Sequence, residues 1–119
     1  MGRVLIVDDD ALVRAVLRRA VEGDGHLVTL AADGQGFLDR LDEGQYDLCI
    51  MDTYMPGPSL GERLAAARER GRGMAILLLS GDGAAPTAAT GDIRFARKPL
   101  GLGTLRSALA LIRSGDGTP

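Results

Sequence analysis

Two short apolar runs in the chain end abruptly on acids: Val4-Leu5-Ile6-Val7 meets Asp8-Asp9-Asp10, and Leu48-Cys49-Ile50-Met51 meets Asp52. Apolar runs of this length, bounded by turn residues, read as strands buried on both faces, the pattern of a parallel sheet. Met74 to Leu79, ending on Ser80, is a third such strand. His26 to Ala31 and Ile93 to Ala96 are weaker ones, and Lys98-Pro99 follows the last. Between the strands the period lengthens to that of a helix. Leu12, Val13, Val16, Leu17, Ala20 and Val21 share one helical face after Asp10, which is placed as an N-cap, and Gly23 and Gly25 stop that helix. Phe37, Leu38 and Leu41 mark a short helix ending near Gly44. Leu60 to Arg70, closed by Gly71 and Gly73, is a third, and Leu102, Leu105, Leu109 and Ile112 space a last one.

Strands alternating with helices predict right-handed βαβ units and an α/β fold, a five-stranded parallel sheet with helices on both faces. One segment breaks the rhythm. Gly81 to Gly91, where a helix should join the last two strands, contains glycines, Pro86 and no large apolar residue, so the fourth helix is expected to be short or missing.

Length narrows the organisation to one domain over residues 1–119, with room for a single core. The apolar runs are far too short to span a membrane, and the N-terminus enters a strand without a signal-peptide pattern, which makes the cytoplasm the expected location. A formal charge of −2 with scattered arginines gives no basic stripe, so direct nucleic acid binding is not expected. Cys49, the one cysteine, lies in an apolar strand and reads as a small buried hydrophobe. His26, alone at a strand start, reads as a surface residue.

Chemistry enters through the strand ends. A parallel sheet carries the carboxyl ends of its strands to one edge, where ligands of open α/β sheets bind. Asp8, Asp9, Asp52, Ser80 and Lys98 all fall there. Crowded carboxylates repel unless a cation holds them, and hard oxygen ligands of this kind suit Mg²⁺ together with phosphate oxygens. Phosphoryl transfer needs chiefly positioning and charge neutralisation, which a metal, a lysine and a hydroxyl around one nucleophilic oxygen supply. Lys98 is the only lysine among 14 basic residues. Arginine serves everywhere else, so a compact ammonium has a specific use at this position.

Four motifs in order, Val4-Leu5-Ile6-Val7-Asp8-Asp9-Asp10, Asp52-Thr53-Tyr54-Met55-Pro56-Gly57, Leu79-Ser80-Gly81 and Phe95-Ala96-Arg97-Lys98-Pro99, resemble the receiver domain of two-component response regulators along nearly the whole chain. The resemblance implies a flavodoxin-like (βα)5 fold with strand order 2-1-3-4-5. It implies that Asp52 is the phosphoacceptor, that Asp8, Asp9, Asp52 and the backbone carbonyl of Tyr54 hold Mg²⁺, and that Ser80 and Lys98 contact the phosphoryl group. Phe95 matches the aromatic switch residue, and Lys98-Pro99 the family's cis peptide.

Such a domain takes its phosphoryl group from a phosphohistidine on a sensor histidine kinase or histidine phosphotransfer protein and presents a changed surface to a downstream protein partner. It is not an enzyme beyond catalysing its own phosphorylation and dephosphorylation. Departures from the family pattern lie in the loop Gly57-Pro58-Ser59-Leu60-Gly61 and in Gly81 to Gly91, the latter on the family's usual output face. Two rival readings are weaker. A haloacid-dehalogenase-type phosphatase would need a further acidic pair after its lysine, and only Asp116 follows Lys98. A receiver-like interaction module without phosphorylation would not need the full residue set found here.

Overall fold

The computed structural model describes residues 2–71, 73–80, 93–98 and 100–115. Its elements run β1 (Arg3–Val7), α1 (Ala11–Gly23), β2 (Leu27–Ala31), α2 (Gly34–Glu43), β3 (Leu48–Asp52), α3 (Leu60–Arg70), β4 (Ala75–Ser80), β5 (Ile93–Arg97) and α4 (Leu102–Gly115). All strand pairs are parallel, in the order β2-β1-β3-β4-β5. The α/β sheet expected from the sequence, with its 2-1-3-4-5 order, is what the chain forms. The expectations for Gly81 to Gly91 and for the Lys98-Pro99 peptide lie outside the described residues.

Alternation along the buried strands builds two cores. Val4 and Ile6, Leu48 and Ile50, and Leu77 and Leu79 face one side, where Leu17 and Val21 of α1 and Leu105, Leu109 and Ile112 of α4 cover them. Leu5, Val7, Cys49, Met51, Ile76 and Leu78 face the other, under Phe37 and Leu41 of α2 and Ala66 and Ala67 of α3. Every residue of β3 is buried, and each fully buried Leu or Ile there contributes about 2 kcal/mol. The central strand is therefore the most firmly held, and its last residue is Asp52.

Local signals set the helix starts. Asp10 caps α1 by accepting from the amides of Leu12 and Val13, and Asp33 caps α2 through Gly36. Ser59 and Glu62 form a reciprocal capping box on α3. Hydrogen bonds from the Ser59 backbone, then from its side chain, hold the Glu62 carboxyl below its usual pKa.

One helical face is only partly covered, and one expectation fails. The apolar face of α1 is wider than the sheet can cover, so Leu12 and Val16 remain 72% and 58% exposed while Leu17 and Val21 are buried. His26 is buried, not a surface residue: its Nδ1 accepts the Gly2 amide at 2.9 Å and its Nε2 lies 3.5 Å from an Asp24 carboxylate oxygen. An unpaired imidazole would be costly inside, but here it satisfies a backbone amide at the entrance to β1.

Candidate functional site

The ends of β1, β3, β4 and β5 bring Asp8, Asp52, Ser80 and Lys98 to one edge of the sheet. Asp8 directly follows β1 and is fully buried, Asp52 and Ser80 are the last residues of their strands and are also buried, and Lys98 follows β5. Parallel registers force this meeting, because Asp52 pairs with Leu79 and Ser80 with Arg97.

Lys98 joins two of the acids. Its Nζ lies 3.0 Å from Asp52 Oδ2 and 3.0 Å from Asp8 Oδ2. The contact with Asp52 is a hydrogen bond, whereas that with Asp8 is an ion pair without hydrogen-bond directionality, leaving Asp8 Oδ2 buried with no directed donor. Partial burial alone would lower the lysine pKa. The two close carboxylates, Asp8 and Asp52, outweigh that penalty and raise it.

The remaining carboxylate oxygens are oriented by the backbone. Asp8 Oδ1 accepts the Asp10 amide at 2.9 Å, and Asp52 Oδ1 accepts the Tyr54 amide at 3.3 Å. Arg14 donates to the Asp8 carbonyl at 2.7 Å. Asp9 is exposed beside them, and Asp8, Asp9 and Asp52 each offer an oxygen within 4.8 Å of the others. Three hard oxygen donors converge with one buried oxygen lacking a directed donor, a set that fits a small divalent cation.

The other site candidates fall around this centre. The Tyr54 side chain is 70% exposed. Phe95, half-buried in β5, packs against the core on the α2 and α3 side. Gly57 takes φ 102, which turns the chain directly after Pro56 and brings the loop to α2, where the Gly34 amide donates to the Pro56 carbonyl at 3.1 Å.

A family model for the response regulator receiver domain matches residues 4–110. The chain belongs to this family. As a receiver domain it is 34% identical over 82 residues to the transcriptional regulatory protein TcrA of Mycobacterium tuberculosis, covering 69% of this chain and 32% of that protein. It is 32% identical over 102 residues to the transcriptional regulatory protein FixJ of Bradyrhizobium diazoefficiens, covering 82% and 50%. The chain thus spans a third to a half of the length of these curated relatives. Among solved structures, the Vibrio cholerae chemotaxis protein CheY4 superposes with a TM-score of 0.79 at 27% identity, covering 94% of this chain and 98% of that one. Receiver domains are signalling modules rather than metabolic enzymes. Membership also tells against the phosphatase reading. No helix among the described residues is long and apolar enough to cross a membrane.

One residue at the site escaped the sequence reading. Arg63 of α3 is 1% exposed, and its guanidinium donates to the carbonyls of Asp52 (2.9 Å), Thr53 (2.6 Å) and Pro58 (3.2 Å). Burial lowers its pKa, against the opposing charge of Asp52. Cys49 is held strongly toward the thiol by burial, with Arg63 pulling the other way, as befits an inert core residue. The signal for Arg63 was its spacing from Ala66 and Ala67, which puts a charge on the core side of α3.

Proposed function

We propose that this receiver domain accepts a phosphoryl group on Asp52 from a phosphohistidine of a sensor histidine kinase or histidine phosphotransfer protein. The observation that supports it most is Lys98 spanning Asp8 and Asp52 at 3.0 Å beside the exposed Asp9. An Asp52 carboxylate oxygen attacks phosphorus, the P–N bond breaks, and the imidazole leaves with the electron pair, giving a mixed acyl phosphate. Lys98 stabilises the charge on the equatorial oxygens. Asp8, Asp9, Asp52 and the Tyr54 carbonyl would hold Mg²⁺, which when bound supplies charge neutralisation between carboxylate and phosphoryl oxygens.

Ser80, at the end of β4, would bond the new phosphoryl oxygens through its hydroxyl, and Phe95 would respond to its movement. A local charge change thereby biases a two-state surface read by a downstream protein, formed by Phe95 and α4. Water attack on phosphorus then breaks the acyl phosphate P–O bond and returns the Asp52 carboxylate and inorganic phosphate. The domain catalyses only these two reactions on itself, and we place it in the cytoplasm, where phosphohistidine donors of this kind work. TcrA and FixJ are transcriptional regulatory proteins. For residues 1–119 the proposed contacts are with proteins.

Incubation with Mg²⁺ and a small phosphodonor should give an acid-stable, hydroxylamine-labile adduct that peptide mass spectrometry places on Asp52. No adduct under these conditions, or an adduct elsewhere, would refute the proposal; the former would leave the unphosphorylated interaction module as the better reading.

A further inference from the structure

Arg63 occupies a position where α3 should carry an apolar residue. Its neighbours on that face, Ala66 and Ala67, are buried in the core, and a charge there is costly unless its donors are all used well. The guanidinium meets that cost with backbone carbonyls from both ends of one loop: Asp52 and Thr53 at its start, Pro58 near its end. No carboxylate side chain is its ion-pair partner among the described residues. A planar fork of five donors suits this task, since one rigid group fixes several acceptors at set angles.

The bonded loop is the one that carries the proposed chemistry. Thr53, held by Arg63 through its carbonyl, also donates its amide and hydroxyl to Leu79, the neighbour of Ser80. Tyr54, the next residue, returns its amide to Asp52 Oδ1 at 3.3 Å. Fixing the Asp52 and Thr53 carbonyls fixes the two peptide planes between Asp52 and Tyr54, and so narrows the directions open to the Tyr54 carbonyl to those its own φ and ψ allow.

From this arrangement we infer that Arg63 is a positioning residue that sets the affinity of the acidic site for a divalent cation by fixing the backbone between Asp52 and Tyr54. The inference rests on the phosphoacceptor reading above. Groups that orient metal ligands from behind typically change affinity by about 10- to 100-fold when removed. Arg63 acts through the backbone instead of through a ligand side chain, so the lower end of that range applies.

The test compares the wild type with R63M and R63K. Calorimetry should show R63M binding Mg²⁺ about tenfold more weakly. R63K keeps the stem and charge but not the fork, and should remain weaker than wild type. In small-phosphodonor labelling, both variants should need more Mg²⁺ for half-maximal rate yet approach the wild-type rate at saturation. In the metal-free protein, the Tyr54 amide should exchange faster in both.

If R63M does not fold, R63K carries the comparison alone. Folded variants with wild-type Mg²⁺ affinity and an unchanged Tyr54 amide, even with a lower melting temperature, would overturn the inference and leave Arg63 a packing residue. A wild type that binds Mg²⁺ but takes no phosphoryl group would refute the phosphoacceptor reading while calorimetry still decides the role of Arg63. A wild type that binds no Mg²⁺ would overturn both.

Discussion

Thr53 grips the carbonyl of Leu79 twice, with its amide at 3.0 Å and its hydroxyl at 3.1 Å. The first bond continues the sheet ladder one step past the end of β3, and the second adds the hydroxyl to the same carbonyl, beside Ser80. Thr53→Val keeps the β-branched shape and the ladder bond while deleting the hydroxyl. The carbonyl retains a partner, so the loss should be about 1 kcal/mol, seen as a lower urea midpoint with an unchanged slope. A loss several times larger would show that the hydroxyl supports more than one carbonyl.

Asp52→Asn should abolish single-site labelling by a small phosphodonor while leaving the fold intact. The substitution removes the nucleophilic charge and almost no volume from a residue whose Oδ1 accepts one amide and whose Oδ2 accepts Lys98. Far-ultraviolet circular dichroism and labelling on the same sample check it. Continued labelling at one site would remove Asp52 from its proposed role.

The two other acids should separate in metal-free protein. Asp9 is exposed and contributes mainly repulsion, so Asp9→Asn should stabilise the chain in EDTA, on the order of 1 kcal/mol. Asp8 is fully buried, accepts the Asp10 amide and faces Lys98, so Asp8→Asn should not stabilise. Melting in EDTA distinguishes them. Equal stabilisation by both would mean that the Asp8–Lys98 pair contributes nothing.

Legibility in the sequence followed the physics of each element. β1, β3 and β4 were plain because a strand buried on both faces must be apolar throughout, and Asp52 stood out because an acid ends such a run. Strand order was different, since nothing in the strands names their neighbours and the order came only with the family resemblance. His26 and Arg63 were misread or missed for a common reason. Each is a polar side chain whose burial is made tolerable by backbone partners outside its own element, Gly2 for one and Asp52, Thr53 and Pro58 for the other. A helical face predicted from apolar spacing likewise cannot say how much of itself the sheet will cover, which is why Leu12 and Val16 lie open.

Tyr54 bears on how long a phosphoryl group would persist. Its amide keeps the residue beside Asp52, and a bulky ring at that position is expected to hinder in-line attack by water. Tyr54→Asn should shorten the phosphoryl half-life a few-fold, measured by loss of label after donor removal. An unchanged or longer half-life would mean that the ring does not stand in the water's path.

Lys98 ties its stability contribution to pH. Partial burial, which favours the neutral amine, is outweighed by the close carboxylates of Asp8 and Asp52, so its pKa in the folded chain is raised above the ordinary 10.5. A raised folded value means that folding stabilises the protonated form. The contribution is fully present below pH 10.5 and is lost as pH rises through the higher folded value. Lys98→Met removes the cation from between two carboxylates, and with a quarter of the side chain in solvent the cost should be about 2 kcal/mol at pH 7 in EDTA. The gap in unfolding free energy between wild type and Lys98→Met should stay constant from pH 7 to 10 and close above that. A gap that widens with alkaline pH would show that the ammonium destabilises the folded chain and that the two 3.0 Å contacts do not offset its desolvation.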